Sequence, residues 1–206
     1  PLWQVFRFAV PALAAGNTAL LKHASNVPQC ALAIERVFVD AGFPKGVFRT
    51  LLIGAAQTEQ VIADPRVHAV TLTGSEPAGR KVAAAAGAHL KKSVLELGGS
   101  DPFIVLEDAD LVVTVSNAVV SRFQNAGQSC IAAKRFIVVD EIADAFLARF
   151  KAEAEKLSPG DPNDERATLG PMARADLRDE VHKQVSASIE RGAVKVTGCA
   201  PLPGPG

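Results

Sequence analysis

Three places in the sequence carry residue types that do chemistry. The first is Cys130, reached through Asn125-Ala126-Gly127-Gln128-Ser129, a polar run of small residues. A nucleophilic thiol needs an accessible loop and backbone N–H groups aimed at the oxyanion that forms. Gly127, three residues before the sulfur, lets backbone come close to a substrate. The ordinary alternative is a small buried hydrophobe, a frequent fate of cysteine. The second place is Glu96, which closes the apolar segment Val94-Leu95 and stands directly before Leu97-Gly98-Gly99. A carboxylate partly withdrawn from water there gains the basicity a general base needs. Taken alone, an ordinary carboxylate at a strand rim is the favoured reading. The third is Thr73-Gly74-Ser75, a strand-to-helix turn with Gly79 one turn further on. Helix N-terminal amides bind phosphate. The turn falls short of the G-x-G-x-x-G fingerprint, and many such turns hold Gly-Ser for geometry alone.

Other reactive side chains read as structural. Cys30 lies on the apolar face of a helix, with Leu32, Ala33, Ile34, Val37 and Phe38, and belongs to a core. Cys199 sits in a terminal loop. His23, His68, His89 and His182 are scattered, and no spacing resembles a zinc site, so no metal is expected. Lys91-Lys92 and Arg178-Asp179-Glu180 read as solvated faces.

The elements that must position these residues alternate. Helices are predicted over 2–15 (through Pro11), from Pro28 to a stop at Gly42, and over 58–63 and 77–87. Strands are predicted over 18–22, 47–53, 67–73 and 93–97. Strands alternating with short helices indicate βαβ units and a parallel sheet. Beyond Gly98-Gly99 the spacing changes: 102–106 is extended, 111–123 helical, 135–139 a strand, 142–157 and 174–191 helical, and 193–197 begins a strand. A domain boundary is placed at the glycine pair. The chain has 206 residues, enough for one or two domains, and 48% of them are apolar. Its 22 basic residues balance 22 acidic ones, which argues against a nucleic-acid partner and against a polybasic membrane anchor. No apolar run reaches the ~18 residues of a membrane span. Three widely spaced cysteines point to a reducing compartment, the cytoplasm, rather than a disulfide scaffold. The start at Pro1 and the turn-rich end, Pro201-Leu202-Pro203-Gly204-Pro205-Gly206, both read as cut from a longer chain.

Together the motifs resemble the aldehyde dehydrogenase superfamily. Glu96-Leu97-Gly98-Gly99 is followed, 34 residues after the glutamate, by Cys130 in its Asn-Ala-Gly-Gln-Ser approach. Leu20-Leu21-Lys22, Thr71-Leu72-Thr73-Gly74-Ser75 and Leu169-Gly170-Pro171-Met172 fall in the family's order. Lys22-His23-Ala24-Ser25-Asn26-Val27, Gly98 to Phe103 and Ala132 to Phe136 resemble its succinate-semialdehyde dehydrogenase branch. The resemblance implies an α/β fold. Residues 1–98 would form the Rossmann-like parallel sheet of a cofactor domain, its N-terminal part missing. Residues 99–206 would form the first part of an α/β catalytic domain. It implies oxidation of an aldehyde to an acid with NAD or NADP. Cys130 would attack the carbonyl, hydride would pass to the nicotinamide, and Glu96 would activate the water that hydrolyses the thioester. The Cys130 amide would be one oxyanion donor. The family's second donor, an asparagine, and its nicotinamide-ribose glutamate fall outside the chain.

The resemblance carries cofactor roles residue by residue. Lys22 matches a lysine at the adenosine ribose, Gly54 a glycine flanking the adenine pocket, Gly74 and Ser75 the pyrophosphate turn, and Leu97 a backbone contact to nicotinamide. NAD-selective members often carry glutamate at the position of Ser25, so Ser25 leaves NADP admissible. Arg7 matches a carboxylate-binding arginine of the succinate-semialdehyde branch. Related enzymes often place a second arginine where this chain has Gln124, and Arg122 stands two residues earlier. The partners implied are a small aldehyde, no nucleic acid, no membrane, and further copies of the full-length enzyme in a homo-oligomer. Rival readings are a nucleotide-binding module without catalysis, a dehydrogenase for another aldehyde, and a phosphate-dependent acylating dehydrogenase. The last would not need Glu96.

Overall fold

A computed structural model describes residues 1–202. The chain divides into two compact units, Pro1–Leu97 and Gly98–Gly206. Of the turn-rich C-terminal stretch, residues 203–206 lie outside the described residues.

The first unit opens with helix α1 (Trp3–Ala14), which runs through Pro11. Pro11 takes one N–H out of the ladder, yet the helix continues past it to Ala14. Val5, Ala9 and Leu13 recur at helical spacing and are buried. Gly16, at φ 81°, turns the chain toward strand β1 (Ala19–Leu21). Helix α2 (Pro28–Asp40) starts on a first-turn proline, whose missing N–H would have gone unpaired anyway. Its buried stripe is Ala31, Ile34 and Phe38. Leu32, Ala33 and Val37, expected on that face, are exposed, because they lie round the helix from the stripe, and Cys30 is only half-buried. Strand β2 (Phe48–Thr50) pairs with β1 in parallel. Glu35 of α2 ties the two layers, accepting from Arg49 at 2.8 Å and from the Thr50 amide at 2.7 Å. The core here is Val5, Ala9, Leu13, Ala19, Ile34, Phe38 and Phe48.

A short helical turn at Ala55–Gln57 leads into α3 (Thr58–Ala63). Strand β3 (Ala69–Thr73), helix α4 (Glu76–Ala88) and strand β4 (Lys92–Glu96) complete a βαβ unit. The two strands are parallel, with Thr73 opposite Glu96. The expected single sheet appears as two parallel pairs, β1–β2 and β3–β4. β2 ends at Thr50, short of the expected Ile53, once Leu51 has given its N–H to Leu21. Lys91 is also not a solvated charge: its ammonium caps α3 by donating to the carbonyls of Ile62 and Asp64. A helix end leaves carbonyls without partners, and a cation there meets both them and the helix dipole.

The second unit pairs β5 (Pro102–Val105) with β6 (Arg135–Val138), again in parallel. Between them lies α5 (Leu111–Phe123), capped by Asp110, whose carboxylate accepts from the Val112 and Val113 amides. Helix α6 (Asp140–Ala154) follows β6, and α7 (Ala175–Glu190) follows a long irregular segment. Val105, Val115, Ala118 and Phe146 form the core, with Phe136 against Phe103, Phe146 and Phe150. Residues 193–197 form no strand. Strands exist only as pairs, and Val194 remains 85% exposed while Thr197 donates its hydroxyl to Glu155 instead.

Candidate functional site

In the first unit the expected cofactor residues stand where strands give way to loops. Lys22 directly follows β1, half-buried, with no ion pair among the described residues. The loop after it is tied down by His23, which accepts the Ala24 N–H at Nδ1 and so donates from Nε2 to the Pro1 carbonyl. Ser25 lies exposed in this loop. Gly54 follows β2 and donates its N–H to the Gln57 side chain at 3.0 Å. Gly74 and Ser75 are exposed between β3 and α4. Ser75 makes no side-chain cap, so the first amides of the 13-residue α4 keep no side-chain partner. In open parallel sheets, ligands bind outside these carboxyl ends of the strands.

A second group gathers at the end of β4. The Gly74 amide donates to the Glu96 carbonyl at 3.0 Å. Leu97 packs over the first turns of α4: a Cβ added at buried Gly79 would stand 2.7 Å from its side chain, so any larger residue there would push Leu97 aside. Arg7 of α1 reaches Glu96, with Nη2 3.5 Å from Oε2. Half of the Glu96 side-chain surface stays exposed, beside this cation.

In the second unit Cys130 sits half-buried in a loop of unusual backbone. Asn125, Ala126 and Gly127 have φ of 55°, 54° and 74°, three consecutive left-handed residues. Asparagine and glycine adopt this region readily, whereas alanine pays roughly 1–2 kcal/mol. The surroundings hold the loop in place. Gln128 accepts the Ala173 N–H at 3.1 Å and donates to the Asn125 carbonyl. The Lys134 ammonium meets the carbonyls of Cys130 at 3.0 Å and Ala132 at 3.1 Å. Gly99 lies against the Cys130 carbonyl. Among the described residues the Cys130 N–H has no acceptor, so it is free to donate to an oxyanion.

The structure separates the two substrate candidates of this unit. Gln124 lines a cleft of about 310 Å³ that includes Ser129 and Ile131, the neighbours of Cys130 on either side. Arg122 instead turns inward, donating to the carbonyls of Ala133 and Gly127 at 3.0 Å each. Burial lowers its pKa from the ordinary value, and among the described residues no carboxylate offsets this. Residue spacing missed these backbone locks by Arg122 and Lys134. For Arg122 a signal existed in Gly127, where a Cβ would stand 2.5 Å from Arg122 Nη2; for Lys134 there was none. The Leu169-Gly170-Pro171 motif lines a second cleft with Gln124, Asn125 and Gln128. Among the described residues no cluster of His, Cys, Asp or Glu is arranged to hold a metal ion, and no helix is long and apolar enough to cross a membrane.

Comparison with known proteins adds a family and relatives. The model described as "Aldehyde dehydrogenase family" matches residues 1–206. A succinate-semialdehyde dehydrogenase, NADP(+), of Mycolicibacterium paratuberculosis is 55% identical over the whole chain, which covers 44% of that protein. A protein of the same name, numbered 1, from Mycobacterium ulcerans is 56% identical, with 45% of it covered. The crystal structure of a succinic semialdehyde dehydrogenase from Streptococcus pyogenes, in complex with NADP+ as the cofactor, superposes with a TM-score of 0.94 at 40% identity. That match covers 97% of this chain and 44% of the other. The chain thus spans less than half the length of the relatives it matches.

Proposed function

The chain belongs to the aldehyde dehydrogenase family, and from that premise we propose that the full-length protein oxidises succinate semialdehyde to succinate with NADP+ or NAD+. The observation that carries this reading is the unbroken match, at 55–56% identity, to relatives that bear the semialdehyde name.

The residues present suit a dinucleotide. Exposed Gly74 and Ser75 leave the α4 amides open to a phosphate, and Lys22 offers an unpaired ammonium to a ribose or its phosphate. When bound, the nicotinamide supplies the hydride acceptor. Cys130 adds to the aldehyde carbon, and its own N–H steadies the oxyanion. Loss of hydride from that adduct leaves a thioester on Cys130. Glu96 takes a proton from water, which attacks the thioester and releases the acid and the thiolate. Arg7 and Gln124 bind the far end of the substrate, Arg7 by its guanidinium fork. Glu96 favours hydrolysis over transfer to phosphate, which needs no base. The same reading makes the protein a cytoplasmic homo-oligomer, in keeping with its sparse, unpaired cysteines.

Steady-state assays of the full-length protein test this. Succinate semialdehyde is expected to exceed butanal in kcat/KM by about tenfold or more, the worth of one charged hydrogen bond. Equal use of the two aldehydes overturns the substrate, and no oxidation of either overturns the activity.

A further inference from the structure

We infer that Arg122 is a positioning residue for the Cys130 loop, a clamp whose two arms hold the backbone on both sides of the thiol. This rests on the reading of Cys130 as the nucleophile. The loop leaves α5 at Phe123 and returns to β6 at Arg135. Its outgoing limb is the left-handed run Asn125-Ala126-Gly127, a conformation alanine does not keep without support. Its returning limb is Ile131 to Lys134. The guanidinium bridges the limbs, with Nη1 on the Ala133 carbonyl and Nη2 on the Gly127 carbonyl, each at 3.0 Å. The neighbouring residue secures the same point from the other side. Ser121 accepts the Ala133 N–H at its carbonyl, 3.2 Å, and at its hydroxyl, 3.3 Å. The last turn of α5 therefore holds both polar backbone groups of Ala133, which is buried.

Arginine suits the task better than lysine because its donors are fixed in one plane and address two acceptors at once. Gly127 completes the fit, since any side chain there would press on the guanidinium. With its fork engaged on backbone, Arg122 acts on the reaction through the loop and not through the substrate. A shift of the sulfur by about 1 Å is enough to cost roughly a hundredfold in rate, so a small relaxation of this loop is felt in kcat.

The test uses the full-length protein and two variants, Arg122→Met and Arg122→Lys. Hydrogen exchange is read on peptides covering 124–134, beside NADP+ affinity and kinetics with succinate semialdehyde and butanal. Arg122→Met is expected to speed exchange in this segment about tenfold or more, with no comparable change in residues 1–97. NADP+ affinity should stay within about twofold, and kcat should fall roughly tenfold for both aldehydes alike. Unchanged exchange overturns the clamp. A loss confined to succinate semialdehyde also overturns it, and makes Arg122 a carboxylate ligand. If Arg122→Met does not fold, Arg122→Lys carries the same readings. Its single ammonium cannot reproduce the fork, so exchange should still rise, and wild-type exchange overturns the proposal. Exchange needs no turnover, so a wild-type protein that oxidises no aldehyde defeats the proposed function while leaving the clamp standing.

Discussion

Cys130 and Glu96 differ in how much their own surroundings disclose. Cys130 carries its credentials locally: a strained approach, a free amide and a carbonyl held by Lys134. Cys130→Ala should therefore abolish aldehyde oxidation in the full-length protein while NADP+ still binds, as turnover and cofactor titration will read; normal oxidation by the variant removes the thiol from the reaction. Glu96 shows only an exposed carboxylate beside Arg7. Its role rests on deacylation, so Glu96→Gln should give a burst of reduced cofactor near one equivalent, about one per active site, followed by slow turnover. Stopped-flow absorbance measures this, and undiminished steady-state turnover refutes it. Ser25 is exposed, short and neutral. It leaves room for a 2′-phosphate that a carboxylate would repel, while the nearby Lys22 attracts it. Ser25→Glu should cut the NADP+ to NAD+ preference by about tenfold, some 1.4 kcal/mol. An unchanged ratio of kcat/KM for the two cofactors would exclude Ser25 from the pocket.

At the scale of elements, the supports are cations set on carbonyls. Lys91 does this for α3, and Arg122 and Lys134 do it for the thiol loop. In each case backbone outside the regular ladders leaves acceptors unpaired, and a long basic side chain satisfies them. The Lys91 lock holds a helix end, whereas those of Arg122 and Lys134 hold the backbone beside Cys130 itself. Lys91→Met keeps the length of the side chain and removes the donor. It should destabilise the full-length protein by ~1.5–3 kcal/mol, the range for hydrogen bonds to a charged group. Urea unfolding would show this as a lowered midpoint at unchanged slope, and an unaltered midpoint would return Lys91 to the solvated surface.

At the scale of the whole molecule, α1 meets the end of β4 where Arg7 reaches Glu96. A half-exposed pair of this kind contributes about 0–1 kcal/mol to stability. Arg7→Ala should therefore leave unfolding within about 1 kcal/mol of wild type. Its effect on catalysis should be selective. Losing the partner of a substrate carboxylate lowers kcat/KM for succinate semialdehyde by an amount worth ~1.5–3 kcal/mol, while butanal is nearly unaffected. Comparing the two aldehydes in wild type and variant decides the matter. Parallel losses would mean that Arg7 serves Glu96 or the fold and not the substrate.

The alternation of strands and helices was legible in the sequence because it depends on local properties: hydrophobic period, first-turn prolines and glycine stops. α2, α4 and α5 begin and end within a residue or two of where those signals put them. The roles given to Glu96, Cys130 and the Gly74-Ser75 turn came instead from resemblance to a family, because taken alone each had an ordinary structural reading. Tertiary structure decided what each long cation touches. Lys91, read as solvated, went to a helix end, and Arg122, read as a substrate residue, went to two loop carbonyls. It also decided that Glu96 stays half-exposed beside Arg7, and that residues 193–197 remain unpaired. A side chain with four or five rotatable bonds reaches partners far along the chain, and a strand needs a neighbour. Neither partner nor neighbour is written in the local pattern; both come from the path the folded backbone takes.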